Sequence, residues 1–122
     1  MIDKQTILIV DDVKENIDVL ITLLSKYDLI PATDGKTAID IAQEENGIDL
    51  ILLDIMMPEM DGFEVCRILK SNSKTAHIPI MFLSAKNKQT DIQKGFEAGG
   101  VDYITKPFNP DELLSRISTH LK

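Results

Sequence analysis

The chain has 122 residues, the length of a single domain, and its 43% hydrophobic content excludes an intrinsically disordered protein. Twenty acidic residues against 13 basic ones give a formal net charge of −7, which argues against binding of nucleic acid by this domain. The single cysteine, Cys66, cannot form an internal disulfide, and this favours a reducing, cytoplasmic setting.

The N-terminal segment Met1–Lys4 is not followed by the long apolar core of a signal peptide. No apolar stretch in the sequence reaches the ~18 residues that a membrane-spanning helix needs. We therefore expect neither secretion nor membrane association.

The first part of the chain predicts two strand–helix units. Ile7–Val10 is an apolar run that predicts a strand, and a helix is predicted after it. The apolar residues at helical spacing in this helix are Ile17, Leu20, Ile21 and Leu24. Leu29–Ala32 predicts an edge strand, because Pro31 has no N–H to donate to a neighbour. Thr37–Glu45 predicts the second helix, which Gly47 ends.

The central strand is predicted at Ile51–Leu53, which leads directly into a carboxylate. Such a short, unbroken apolar run is typical of a strand buried on both faces of a parallel sheet. Pro58 and Gly62 mark a loop after it, so Asp54 is placed where the strand ends. Ligands bind at the carboxyl ends of the strands in open α/β sheets. We therefore interpret Asp54 as the reactive group.

The rest of the chain completes five strand–helix units. Helices are predicted at Phe63–Lys70, about Gln89–Ala98 and from Pro110 onward, and strands at Ile80–Leu83 and Val101–Thr105. The fourth helix is the weakest, since it has only Ile92 and Phe96, with Ala98, to bury. Alternation of strands and helices at these lengths predicts a parallel sheet with helices on both faces.

Polar side chains follow four of the five predicted strands, where each strand ends: Asp11 and Asp12, Asp54, Ser84 and Lys106. Because parallel strands point the same way, we expect these side chains to meet at one edge of the sheet. Helix capping explains an Asp or a Ser at such a position. It does not explain Lys106, since a positive charge is unfavourable at the start of a helix.

Three carboxylates at one edge would repel one another, and a divalent cation would relieve that repulsion. Mg²⁺ prefers oxygen ligands and often combines one or two carboxylates with a phosphate oxygen. We expect Asp12 and Asp54 to bind Mg²⁺ directly and Asp11 to bind it through a water. A carbonyl of the loop is expected as a further ligand. The charge of Lys106 and the hydroxyl of Ser84 suit a phosphoryl group attached to Asp54.

These residues resemble the receiver domains of two-component response regulators. The resemblance rests on Asp11-Asp12, on the segment Asp54-Ile-Met-Met-Pro-Glu-Met-Asp-Gly62, on Ser84-Ala85 and on Lys106-Pro107-Phe108. It covers essentially the whole chain and implies one receiver domain over residues 1–122. It also implies a flavodoxin-like fold with strand order 2-1-3-4-5.

The resemblance also implies a role for each site residue. Asp54 is the phosphoacceptor, and Ser84 and Lys106 are the switch hydroxyl and the phosphate-binding lysine. The Mg²⁺ ligands are Asp11, Asp12, Asp54 and the carbonyl of Met56. Tyr103 is the switch aromatic residue, and the Lys106–Pro107 peptide is usually cis.

The implied phosphodonor is a phosphohistidine on a sensor histidine kinase or a histidine phosphotransfer protein. We expect the surface of the fourth helix, fifth strand and fifth helix to change on phosphorylation and to regulate an output domain or protein. A homodimer that forms on phosphorylation is left open.

Two rival functions are weighed against this one. A phosphatase of the haloacid dehalogenase type needs a second Asp two residues after its nucleophile, and Met56 occupies that position. An interaction domain that works without phosphorylation would not need all five site residues. We therefore expect a signalling module that catalyses only its own phosphorylation and dephosphorylation.

Overall fold

Strands and helices alternate throughout the computed structural model, which describes residues 4–121. The strands are β1 (Thr6–Val10), β2 (Asp28–Ala32), β3 (Ile48–Leu53), β4 (Ile80–Ser84) and β5 (Asp102–Thr105). The helices are α1 (Lys14–Leu23), α2 (Gly35–Glu44), α3 (Gly62–Ser71), α4 (Gln89–Glu97) and α5 (Pro110–His120). The expectation about a signal peptide at Met1–Lys4 falls mostly on residues 1–3, which lie outside the described range.

The five strands form one parallel sheet in the order β2-β1-β3-β4-β5. This order confirms the flavodoxin-like topology expected from the sequence. The last residue of β1, Val10, pairs with Ala32 of β2 on one side and with Leu53 of β3 on the other. Ser84 of β4 likewise pairs with Thr105 of β5. The carboxyl ends of the strands therefore lie at the same edge of the sheet.

The hydrophobic core has two layers, one on each face of the sheet. Successive side chains of a strand point to opposite faces, so Leu50 and Leu52 of β3 pack with α1 and α5. Ile51 and Leu53 pack on the opposite face, with α2 and α3. Because both faces are covered, the strands are apolar along nearly their whole length, as the short apolar runs of the sequence predicted.

Two apolar residues that the spacing placed inward are exposed. Ile21 of α1 is 42% exposed, because Ile17 and Leu20 already fill the contact of α1 with the sheet. Phe96 of α4 is 48% exposed, and Gly95 is buried in its place. Aromatic rings lie directly beneath Gly95, and a Cβ atom there would be only 3.0 Å from each of two rings.

The central strand also begins earlier than expected, at Ile48 and not at Ile51. Asp49 interrupts the apolar run, but its carboxylate accepts a hydrogen bond from the N–H of Thr6 at 2.8 Å. Among residues 4–121, no helix is long and apolar enough to span a lipid bilayer.

Candidate functional site

Backbone hydrogen bonds between strands hold the site residues in place. Asp11, Asp54 and Lys106 each follow a strand directly, and the N–H of each donates to a carbonyl at the end of the neighbouring strand. The N–H of Asp11 donates to Ala32 at 3.1 Å, and the N–H of Asp54 donates to Val10 at 3.0 Å. The N–H of Lys106 donates to Ser84 at 2.9 Å. The sheet therefore sets the relative positions of these side chains.

Asp54 is 7% exposed, and one oxygen of its carboxylate is held by the backbone. Its Oδ1 accepts hydrogen bonds from the N–H groups of Ile55 at 2.7 Å and Met56 at 3.4 Å. Its Oδ2 lies 3.5 Å from the ammonium of Lys106. Burial raises the pKa of Asp54, and the charge of Asp11 adds to this effect, whereas Lys106 opposes it.

Asp11 and Lys106 form a closer ion pair. The Nζ of Lys106 lies 2.8 Å from Oδ2 of Asp11, whose side chain is 3% exposed. The same Oδ2 accepts a hydrogen bond from the amide of Asn16 at 3.2 Å, and Oδ1 accepts one from the N–H of Val13 at 2.9 Å. The Asp11 carboxylate is thus held by three donor groups.

Asn16 is a site residue that the sequence analysis missed. It lies in the first turn of α1, and Val13 precedes this helix without a side-chain cap. An amide in the first turn after an Asp-Asp pair is the signal that could have identified it. A polar side chain that is free of a capping role can turn back toward the preceding carboxylates.

The carboxylates of Asp11, Asp12 and Asp54 form an acidic cluster, with one oxygen of each within 4.8 Å of the others. Asp12 is exposed, whereas the other two residues are buried. A set of carboxylate oxygens around one point suits Mg²⁺, which prefers hard oxygen ligands. The residues expected to bind the cation are therefore brought together.

The loop after Asp54 returns close to the end of β3. Gly62 donates its N–H to the carbonyl of Ile55 at 2.9 Å, and a Cβ atom at Gly62 would overlap the carbonyl oxygen of Asp54. Within this loop Glu59 has a φ of 69°, which is uncommon for a residue other than glycine. Met56 contacts Asp54 through its N–H, and its side chain is 55% exposed.

The two expected switch residues both contact the backbone of Lys86. Ser84 is fully buried, and its hydroxyl accepts a hydrogen bond from the N–H of Lys86 at 3.3 Å. The hydroxyl of Tyr103 donates to the carbonyl of Lys86 at 2.6 Å. Burial raises the pKa of Tyr103 to about 12, and the charge of Asp91 adds to this effect. No pattern in the sequence indicated that the backbone of Lys86 joins these residues.

The ring of Tyr103 lies inside the protein, with the residue 8% exposed. Tyr103 is therefore in an inward position. The Lys106–Pro107 peptide bond next to the site is cis. Asp11, Asp12, Asp54 and Lys106 thus form one cluster, and Ser84 and Tyr103 meet at the adjacent loop.

Comparison with known proteins finds matches over nearly the whole chain. Residues 7–118 match the family model described as response regulator receiver domain. A probable cyclic di-GMP phosphodiesterase of Vibrio cholerae is 48% identical over 96% of this chain and 26% of its own length. The transcriptional regulatory protein YvrH of Bacillus subtilis is 42% identical over 98% of this chain and 50% of its own length. The chain thus spans half or less of these two relatives.

A solved structure shares the fold over its full length. The chemotaxis protein CheY4 of Vibrio cholerae superposes with a TM-score of 0.90 at 30% sequence identity. The match covers 98% of this chain and 100% of the CheY4 chain.

Proposed function

This chain belongs to the response regulator receiver domains, which are phosphoacceptor signalling domains of two-component systems, and on that premise we propose that Asp54 is its phosphoacceptor. The phosphodonor is a phosphohistidine on a sensor histidine kinase or a histidine phosphotransfer protein. One observation carries the proposal: the buried carboxylate of Asp54 lies 3.5 Å from Lys106 and within 4.8 Å of two further carboxylates.

The geometry of Asp54 suits nucleophilic attack by one particular oxygen. Oδ1 is engaged by two backbone N–H groups, and Oδ2 faces Lys106. Oδ2 attacks phosphorus, and an O–P bond forms as the P–N bond to the partner imidazole breaks. The electron pair of the P–N bond stays on the imidazole nitrogen, and Asp54 becomes an aspartyl phosphate. Dephosphorylation is attack of water on the same phosphorus, with the Asp54 carboxylate as the leaving group.

The charges around Asp54 suit a phosphoryl group only when the acidic cluster is neutralised. We assign Mg²⁺ to the clustered carboxylates of Asp11, Asp12 and Asp54. We add the carbonyl of Met56 as a further hard oxygen donor from the loop after Asp54. When bound, Mg²⁺ supplies positive charge that offsets the negative charge of the carboxylates and of the phosphoryl oxygens. Lys106 adds a second positive charge, and its ammonium has only to turn from Asp11 toward the new phosphoryl oxygens.

The signal leaves the site through Ser84 and Tyr103 in this proposal. The hydroxyl of Ser84 moves to a phosphoryl oxygen, and the inward position of Tyr103 is favoured as a result. The surface formed by α4, β5 and α5 changes with it and regulates an output partner. The contact of both side chains with Lys86 supports this route, because movement of one alters the backbone to which the other is bonded.

The longer relatives indicate only the general kind of output that such a domain regulates. The Vibrio cholerae relative is named as a phosphodiesterase and the Bacillus subtilis relative as a transcriptional regulator, and both extend well beyond the matched part. We propose that residues 1–122 form one receiver domain that acts on an output domain or protein in the cytoplasm. It transforms no external substrate and binds neither nucleic acid nor membrane itself. A homodimer that forms on phosphorylation is one form its output can take.

Phosphorylation with a small donor tests the acceptor directly. The protein is incubated with acetyl phosphate and Mg²⁺, and its intact mass should rise by one phosphoryl group that hydroxylamine removes. Asp54→Asn should abolish the gain, because the amide is not a nucleophile. Asp61→Asn is the matched control, since Asp61 caps α3 by accepting from Glu64 at 2.9 Å and Asn caps equally well. A hydroxylamine-labile phosphate on Asp54→Asn would refute the assignment.

Two further assays identify the phosphodonor and test the rival phosphatase function. Purified histidine kinases from the same cell, phosphorylated beforehand, are mixed with the chain, and transfer to Asp54 within seconds to minutes identifies the partner. Turnover of p-nitrophenyl phosphate should be absent. Repeated turnover of such an external phosphoester that depends on Asp54 would instead favour the phosphatase.

A further inference from the structure

Helix α4 rests on two aromatic rings at the position of a glycine. Gly95 is the buried residue of this helix, and the rings of Phe82 from β4 and Tyr103 from β5 lie beneath it. The centroids of the two rings are 5.8 Å apart. A Cβ atom at position 95 would lie 3.0 Å from Cδ2 of each ring. Carbon atoms pack at about 3.5–4.0 Å, so the helix or a ring would have to move.

Phe82 leaves little freedom for such a movement. It is 1% exposed, and its ring also packs against that of Phe63 at a centroid distance of 5.7 Å. Gly100 lies against the same edge of the ring, where a Cβ atom would come within 2.6 Å of Cε2 of Phe82. The ring of Phe82 is therefore enclosed, and Tyr103, which is 8% exposed, is the less enclosed of the two rings.

In its inward position the ring of Tyr103 lies beneath Gly95. Its hydroxyl donates to the carbonyl of Lys86 at 2.6 Å, and this hydrogen bond holds the far end of the ring. The space for the ring exists because position 95 has no side chain. The burial that raises the pKa of Tyr103 to about 12 reflects the same enclosure.

We propose that Gly95 is the positioning residue for Tyr103: the missing Cβ permits the ring to lie beneath α4, and adding one shifts the ring outward. The relevance of this to signalling rests on the proposed function, in which Tyr103 belongs to the switch. Gly95 does not touch the acidic cluster, so it acts on the position of the ring and not on the chemistry at Asp54.

Tyrosine fluorescence gives a direct measure of the ring position. The chain has two tyrosines and no tryptophan, so Tyr27→Phe leaves Tyr103 as the single emitter. In this background we expect Gly95→Ala to increase quenching of Tyr103 by acrylamide at least about twofold, since an outward ring is open to solvent. Fluorine NMR of the 3-fluorotyrosine protein should show a matching shift of the Tyr103 resonance.

A control variant separates this effect from general loosening. Gln93→Ala changes an exposed residue of the same helix. It should leave the quenching of Tyr103 at the parent value. Phe82→Leu combined with Gly95→Ala should restore the parent value, because the smaller side chain makes room for the displaced ring.

Equal quenching in parent and Gly95→Ala would overturn the proposal, and so would an equal increase in Gln93→Ala. A measurement on the unmutated protein applies even if Gly95→Ala fails to fold. Nuclear Overhauser effects between the Hα protons of Gly95 and the ring protons of Tyr103 should be present, and their absence would overturn the proposal.

Phosphorylation by acetyl phosphate is measured separately on the same proteins. Gly95→Ala should accept a phosphoryl group at Asp54 like the parent. Failure of the parent to be phosphorylated would refute the proposed function, whereas the position of Tyr103 under Gly95 would still be decided by the quenching.

Discussion

The ammonium of Lys106 lies 2.8 Å from the carboxylate of Asp11, closer than its 3.5 Å distance from Asp54. The ion pair joins the end of β5 to the end of β1. The same Asp11 carboxylate belongs to the acidic cluster that suits a divalent cation. We therefore expect a bound cation to compete with Lys106 for Asp11 and to release Lys106 toward Asp54.

Removing the charge of Lys106 should expose this competition. In Lys106→Met, the 3% exposed side chain of Asp11 loses its cationic partner, and a lost buried partner typically costs about 3 kcal/mol. We predict a lower melting temperature without metal, a larger rise of that temperature on adding Mg²⁺ than in the parent, and slower phosphorylation. Thermal unfolding with and without Mg²⁺ checks the first two.

The control for Lys106→Met is Lys36→Met. Lys36 forms an ion pair with Asp40 at 3.3 Å, but its side chain is 83% exposed. Exposed pairs contribute little, so the melting temperature should change by an amount equivalent to less than about 0.5 kcal/mol. If Mg²⁺ stabilises the parent and Lys106→Met to the same extent, Lys106 does not compete with the cation.

Asp54 itself should destabilise the metal-free protein at neutral pH. Burial raises its pKa above the ordinary 3.8, so the folded state holds the proton more tightly than the unfolded state. The stability that this gives is complete below pH 3.8 and is lost as the pH rises through the raised pKa. Asp54→Asn should therefore raise the melting temperature at pH 7 by several degrees, since about 1 kcal/mol corresponds to roughly 3–6 °C.

The pH dependence supplies the check on that prediction. The difference between Asp54→Asn and the parent should shrink toward zero as the pH falls below the raised pKa, where both side chains are neutral. Asp61→Asn, which replaces an exposed carboxylate, is the control for loss of a charge without burial. A difference that grows toward acidic pH would mean that the charged form of Asp54 is stabilising.

Asp12 should contribute to cation binding more than to stability. Asp12→Asn removes one charged ligand, and we predict Mg²⁺ binding that is weaker by about tenfold or more. Metal-free stability should rise, because a like charge is removed. The rise should stay within about 0.5 kcal/mol, since Asp12 is exposed. Magnesium titration and thermal unfolding measure the two effects, and a fall in metal-free melting temperature would indicate a structural role.

Ser84→Ala should separate phosphorylation from its transmission. The variant keeps Asp54 and Lys106, so we predict that it still accepts a phosphoryl group. It lacks the hydroxyl that moves to a phosphoryl oxygen, so the change around Tyr103 and residues 89–100 should be lost. Amide NMR shifts with and without beryllofluoride, a phosphoryl mimic, compare parent and variant. The full parental shift pattern in Ser84→Ala would mean that the hydroxyl is not the transmitter.

The fold could be predicted well because each strand is short, apolar and followed by a turn or polar residue. What the pattern could not give was the side-chain direction where tertiary neighbours decide it. Phe96 was expected in the core because it is a large apolar residue. The rings of Phe82 and Tyr103 already occupy the space next to α4. Ile21 was expected to be buried from helical spacing alone. Spacing does not indicate how wide the buried face of α1 is, and Ile21 lies outside that face.

The site could be predicted to the extent that its residues end strands. Asp11, Asp54 and Lys106 were found because parallel strands end at the same edge of a sheet. Asn16 and the backbone of Lys86 were missed, because their roles depend on where a side chain or a carbonyl points. The pairing of Lys106 with Asp11 was missed for the same reason: both were expected near Asp54, and only distances rank the two contacts.

Asp11, Asp54 and Lys106 lie beyond the strands, yet their own N–H groups are bonded to neighbouring strands. Exchange of these amide protons with deuterated water requires the edge of the sheet to open, whereas exposed loop amides exchange by local fluctuation. We therefore expect the amide of Asp54 to exchange about as slowly as amides of the core. The site residues should keep their relative positions as long as the sheet is folded. Heat or denaturant should therefore abolish phosphorylation of Asp54 in a single cooperative step, together with global unfolding.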